Sequence, residues 1–350
     1  MFRRLILLAA SLFVVALLAA GTFYWWVTNS LVQPLSFEGD TYTLMVEPGS
    51  TLTGLARRLH SEGLTTSPLP MQLHARLAVS GKIHTGEYLI KQGETILDLV
   101  AKLLKGDVVL HRITFPEGRT VAQWLELVAA HPILSQQPLP DIAEVSALVT
   151  DEDGETAVEN AEGWFFPDTY TFPRNRSPLD IFRQAHRQMQ AILAEEWRNR
   201  APDLPLESSY EALILASIIE KETGLASERT TIAGVFVRRL NKGMRLQTDP
   251  TVIYGLGENF DGNLTRKHLG EENPYNTYLI SALPPTPIAN PGREAIHAAL
   301  NPEPGTALYF VARGDGSHFF SNTLDQHIKA VREYQLKRSK NYRSAPAGNQ

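Results

Sequence analysis

The sequence predicts an α+β protein: one apolar N-terminal helix, a region of small α+β modules, and a larger mixed α+β domain. Three observations carry this. Leu5 to Val27 runs 23 residues without a charge. A Gly-x-Thr-apolar pattern then recurs behind short strand-like runs. Last, a strongly apolar helix, Ser208 to Gly224, sits between amphipathic helices and a polar, Pro-rich stretch. The 350 residues suffice for two or three domains, each with its own core. A formal charge of −5 and the lack of a basic stripe with interleaved aromatics give no nucleic-acid signal. With no cysteine, disulfides, thiolate catalysis and Cys-based metal sites are excluded, and the ten His show no ligand spacing. No cofactor or metal is expected.

As a helix, Leu5–Val27 would be about 34 Å long, enough to cross a bilayer. Arg3 and Arg4 precede it, and the next Lys or Arg is Arg57. The positive-inside rule therefore leaves residues 1–4 in the cytoplasm and the rest outside. Phe23, Tyr24, Trp25 and Trp26 mark the outer interface. A cleaved signal peptide, with Ala16, Ala19 and Ala20 near a cut, is the competing reading; the length of the span and the aromatics directly after it favour an uncleaved anchor.

After a linker over 28–40, a repeat occupies 41–130. Gly49-Ser-Thr51-Leu52, Gly93-Glu-Thr95-Ile96 and Gly118-Arg-Thr120-Val121 each place Thr as N-cap of an amphipathic helix. Strand-like runs precede them at Thr43–Val46, Glu87–Ile90 and Leu110–Phe115. The first two resemble LysM modules, which bind glycan chains; a plain packing module is the alternative. Residues 131–160 read as a connecting segment, with the acidic run Asp151–Glu159 as a loop. In Glu162-Gly-Trp-Phe-Phe-Pro-Asp-Thr-Tyr-Thr-Phe-Pro173 the prolines argue against any regular element. Its aromatics serve either as a plug beneath a loop or as a wall on which sugars stack.

The larger domain is expected over 161–338, and 339–350 as a disordered tail. It opens with an amphipathic helix over Ser177–Arg200. Ser208 and Glu211 form a capping-box pattern, and Thr223-Gly224 is expected to stop the next helix. Glu220 directly follows the apolar run, on the stripe of Leu213, Ala216 and Ser217, while Glu222 lies roughly 200° further round. A carboxyl on a buried stripe resists ionisation and so becomes a candidate proton donor; the bland alternative is a surface Glu or one paired with an Arg such as Arg238 or Arg239. A helix is expected over Ser227–Leu240. About sixty residues then read as loops, including Gln247, Thr248, Asp249, Tyr254, Asn276 and Tyr278, candidate hydrogen-bond partners for a hydroxyl-rich ligand in a cleft facing Glu220. An apolar strand Leu308–Ala312, a turn, a strand His318–Ser321 and a helix from Thr323 close the domain.

Glu162–Tyr170, Ala216-Ser-Ile-Ile-Glu-Lys-Glu-Thr223, Arg245-Leu-Gln-Thr-Asp-Pro-Thr251, Tyr275-Asn-Thr-Tyr278 and Tyr309–Gly316 together resemble the signatures of the YceG-like family, over residues 1–338. Trp164-Phe165 departs from the family's frequent Tyr-Leu. The resemblance implies endolytic murein transglycosylase activity at a bacterial inner membrane: the periplasmic domain cuts nascent peptidoglycan glycan strands to 1,6-anhydro ends. It implies Glu220 as acid and then base; Gln247, Asp249, Asn276 and Tyr278 are expected to position the sugar or stabilise the developing charge. The expected partners are glycan strands, the membrane, and peptidoglycan synthases as a further class. A hydrolase using Asp249 or Glu222 to activate water, and a non-catalytic wall-binding scaffold, are the alternatives.

Overall fold

The computed structural model describes residues 2–150 and 160–335. The expectations for Asp151–Glu159 and for the tail lie outside the described residues. The chain divides into two compact units, residues 1–111 with 171–175, and residues 112–170 with 176–350.

The first unit begins with helix α1, Phe2–Leu31, which is long and apolar enough to cross a membrane and is bare of packing partners over its apolar span. It continues with β1 (Thr41–Val46), α2 (Leu52–Ser61), α3 (Leu69–Leu77), β2 (Gly86–Lys91) and α4 (Ile96–Lys105). The repeated threonines cap as expected: Thr51 Oγ1 accepts from Gly54 N–H at 3.1 Å, and Thr95 forms a reciprocal capping box with Asp98. β1 and β2 pair antiparallel, with Thr41 opposite Lys91 and Val46 opposite Gly86. Leu44 and Val46 project inward from β1, and Tyr88 and Ile90 from β2. They meet Leu55 and Leu59 of α2 and Leu99 and Leu103 of α4 in one core.

This corrects the expectation of one small module per repeat. The first two repeats share a single two-stranded sheet, because an isolated strand and helix cannot bury enough apolar surface to stand alone. The third belongs to the other unit.

β3 (Leu110–Thr114) and β4 (Thr169–Pro173) form a second two-stranded sheet. Part of the Glu162–Pro173 segment is thus regular after all, its terminal Pro173 falling at the strand end, where no ladder donor is needed. The remaining elements are α5 (Val121–Ala130), α6 (Ile142–Ser146), α7 (Pro178–Arg198), α8 (Ser209–Glu222), α9 (Arg229–Asn241), α10 (Asp249–Leu256), α11 (Arg266–Gly270), α12 (Arg293–Leu300), β5 (Tyr309–Ala312), β6 (His318–Ser321) and α13 (Leu324–Tyr334). Helices α10 and α12 lie in the stretch expected to be loops. Their sequences lack a long apolar stripe; Asp249-Pro250 instead opens α10 with Pro in its first turn, where the missing N–H costs nothing.

Helix α8 is the axis of the second unit. Every residue from Ala212 to Ile219 is buried, so it is surrounded on nearly all sides, by α7, α9, α10 and α12. Each buried Leu or Ile contributes about 1.5–3 kcal/mol relative to exposure. Ser208 Oγ caps its start by accepting from Glu211 N–H at 3.2 Å. The reciprocal half of the box is absent, since Glu211 accepts from Glu207 N–H instead. Helix α8 ends at Thr223 in an extended conformation rather than at a left-handed glycine.

The aromatic segment 162–173 is a plug. Phe165, Tyr170 and Phe172 are buried, and in the second unit Phe115 stacks on Trp124 and Phe182 and meets Tyr170 at a tilt, while Phe165 meets Phe182 edge-on. Gly163 turns it with φ +83°, and a Cβ there would meet Pro287 at 2.5 Å, so only glycine fits.

Candidate active site

Two carboxylates leave the C-terminal turn of α8 in different directions, and the structure gives them different surroundings. Glu220 has a side chain only 7% exposed. Its Oε2 accepts from the Gly292 N–H at 3.1 Å, and its Oε1 lies 3.7 Å from the Arg229 guanidinium. Arg229 also reaches Glu294 and comes within 3.8 Å of Glu117. Burial foremost, and the neighbouring Glu117 charge next, push the Glu220 carboxyl up; Gly292, Arg229 and Lys221 oppose this. Glu220 thus sits in an ion-pair cluster, and its cation is Arg229, not Arg238 or Arg239. Those two instead donate to carbonyls, Arg238 to Ala307 and Glu303, Arg239 to Leu308, Arg245 and Leu246.

Glu222 faces a cleft of about 820 Å³, lined also by Gln247, Asp249, Tyr278, Arg239, Tyr309 and His327. Its Oε1 accepts a hydrogen bond from Thr248 Oγ1. Burial dominates and raises its carboxyl to about 7; Asp249 pushes the same way, and Thr248 and Arg239 push back. The cleft built from the predicted polar residues therefore opens at Glu222, not at Glu220. Apolar periodicity selects the carboxylate nearest the core, whereas which carboxylate meets the cleft is set by α10 and the loop after α11.

The other candidates fall into place by contact. Asp249, first residue of α10, accepts from Tyr278 O–H at 2.6 Å. Burial, and then this bond, raise the Tyr278 phenol, so it stays a neutral donor. Gln247 is exposed on the cleft with a left-handed φ of +52°, rare for a non-glycine residue and held by its N–H bond to Thr277 O at 3.1 Å. Thr248 is buried and engaged with Glu222. Asn276 does not face the cleft: it is fully buried and its Nδ2 donates to the carbonyls of His268, Leu269 and Glu271, its Oδ1 accepting from Tyr278 N–H at 3.0 Å. It clamps the loop that carries Tyr278. Tyr254 lies elsewhere, packed 5.0 Å from Tyr275 and accepting from Asn160 Nδ2, on a second cavity.

Sequence reasoning missed Glu117, Glu162 and Asn290. Glu162 is buried, accepts from Val121 N–H at 3.0 Å and from Asn290 Nδ2 at 3.0 Å, and burial raises it to about 8. The signal for Glu117 was its place in Pro116-Glu117-Gly118, just ahead of the third Thr cap. Nothing local marked Asn290, since its partners are more than a hundred residues away.

A carboxyl raised to about 7, at the end of a buried helix and facing a cleft of amide, carboxylate and phenol side chains, makes this a candidate acid–base site with groups suited to a hydroxyl-rich ligand. The chain belongs to the YceG-like family, whose model matches residues 44–333. It is 29% identical over 87% of its length to an endolytic murein transglycosylase of Bacillus subtilis, covering 88% of that protein. It is 26% identical over 91% of its length to an endolytic murein transglycosylase of Streptococcus pneumoniae, covering 63% of that protein. The crystal structure of a yceG-like protein from Listeria monocytogenes matches 83% of this chain and 99% of its own at 30% identity, with a TM-score of 0.52.

Proposed function

We propose that this protein is an endolytic murein transglycosylase, tethered by α1 with its N-terminus in the cytoplasm, that cleaves the MurNAc–GlcNAc β-1,4 bond within peptidoglycan strands. The observation that carries the reading is Glu222 with its raised carboxyl at the head of the polar cleft; the relatives' names support it. Protonated Glu222 donates to the bridging oxygen, the C1–O bond breaks, and an oxocarbenium-like centre develops. The carboxylate then takes the proton of the C6 hydroxyl of the same MurNAc as that oxygen bonds to C1. The internal nucleophile benefits from high effective molarity and needs no water. Tyr278, oriented by Asp249, and Gln247 hold sugar hydroxyls.

The sequence placed the acid at Glu220 and gave Glu222 only as a possible water-activating base. By the same chemistry Glu220 fits less well, because a guanidinium at 3.7 Å stabilises its ionised form, whereas Glu222 lines the cleft and is bonded to the neutral Thr248 hydroxyl, with Arg239 the smallest of the influences on it. The β1-α2-α3-β2 arrangement of the first unit is the LysM-like part of this reading, a glycan-holding module outside the membrane.

A hydrolytic outcome is the second reading, favoured by one observation: Asp249 is close enough to Glu222 to raise it, and a second carboxylate could activate water. Mass spectrometry of fragments released from peptidoglycan decides. Ends lighter by one water establish the anhydro product, reducing ends establish hydrolysis and make Asp249 the first residue to substitute, and no release leaves a binding scaffold.

The pH dependence has a definite sign. The donor form of Glu222 predominates below about 7. Above it, kcat/KM is expected to fall about tenfold per pH unit. A profile flat from pH 6 to 9 would remove Glu222 from the proton-donating role.

A further inference from the structure

Beside the catalytic cleft lies a second cavity of about 960 Å³ in the same unit, and one side chain, Lys221, lines both. Their walls differ in chemistry. The cleft is built from Gln247, Asp249, Tyr278 and Arg239, groups that suit sugar hydroxyls. The second cavity is walled largely by Pro250, Ile253, Tyr254, Tyr275 and Ile288, a surface that suits methyl groups and backbone rather than a sugar edge. Its charged lining consists of Lys221 at the junction and the carboxylates Glu126, Glu162 and Glu258. Lys221 is exposed, and among the described residues its ammonium donates to one acceptor, the Gly118 carbonyl at 3.0 Å. N–H donors remain for a ligand.

We propose that this cavity receives the peptide substituent of the glycan strand, with Lys221 binding one of its carboxylates. The inference rests on the function proposed above. A murein strand carries a short peptide on the lactyl ether of each MurNAc, so a cleft holding that sugar must find room for the peptide next to it. The peptide is rich in alanine methyls and bears carboxylates and an ammonium. The apolar wall, the single cation and the acidic groups of the lining match those features. Residue Tyr254, expected from sequence to touch substrate, would then touch the peptide and not the sugar.

The test uses the full-length chain in detergent micelles and two uncross-linked strand preparations, one carrying its peptides and one stripped of them by an amidase. Wild type is expected to show a KM about tenfold lower on the peptide-bearing strands, the size of one charge-assisted contact. Lys221→Met should raise that KM about tenfold with kcat changed less than twofold, and Lys221→Arg should restore it. Equal KM for both strands in wild type, or an unchanged KM in Lys221→Met, overturns the proposal. If wild type cleaves neither strand, it is the catalytic reading that fails, and calorimetry with a free stem tetrapeptide decides this one. Binding that weakens about tenfold in Lys221→Met upholds it, and no binding to wild type overturns it.

Discussion

Glu222→Gln is expected to lower kcat by about 10²–10⁴-fold, the usual contribution of a positioned general acid. The amide keeps the shape and can still meet the Thr248 hydroxyl, so the fold and the affinity for strands should survive. The companion variant, Glu220→Gln, tests the rival. There a neutral amide faces Arg229, whose remaining acidic partners are Glu294 and Glu117. That change should cost about 1–3 kcal/mol of stability through a weakened buried contact, while turnover stays within about tenfold of wild type. Release of soluble muropeptides, read by chromatography for both variants side by side, separates the two. If Glu220→Gln is inert while Glu222→Gln still cuts, the acid is Glu220 and the cleft at Glu222 only holds the substrate.

The second large effect concerns stability. Asn290 is fully buried and ties three separate stretches together. Its Oδ1 accepts from Phe165 N–H at 3.2 Å, and its Nδ2 donates to Arg119 O at 3.1 Å and Glu162 Oε1 at 3.0 Å. Its backbone accepts from Gly118 N–H at 2.9 Å and donates to Arg119 O at 3.0 Å. Asn290→Ala keeps the backbone bonds but leaves buried groups at Phe165, Arg119 and Glu162 short of partners. A loss of about 3 kcal/mol is expected, since each orphaned buried polar group costs about 1–3 kcal/mol and networks lose more than single pairs. Urea denaturation of the full chain measures it. A change below about 1 kcal/mol would mean that water replaces the side chain and that the network is not what holds the aromatic plug to α5.

Much of the architecture was legible because it rests on local rules. The charge-free span, the three Thr caps, the length of α7 and the final hairpin follow from hydrophobic runs and cap chemistry, which a residue and its near neighbours determine. Helix α8 was legible as a buried helix for the same reason. Helices α10 and α12 were not, because their stability comes from packing against α8 rather than from a stripe of their own.

The site divides in the same way. Sequence alone pointed to the end of α8 as the candidate site, and it singled out Gln247, Asp249 and Tyr278, because polar residues concentrated in an irregular stretch have no packing reason to be there. Only the tertiary structure decided which carboxylate they surround. Glu220 and Glu222 differ by two residues and so point to nearly opposite sides of one helix; one side holds Arg229, and the other holds the cleft. A helix's own sequence states which side is apolar, but what lies across from each side is supplied by other elements, Arg229 and Gly292 on one side and Gln247, Asp249 and Tyr278 on the other.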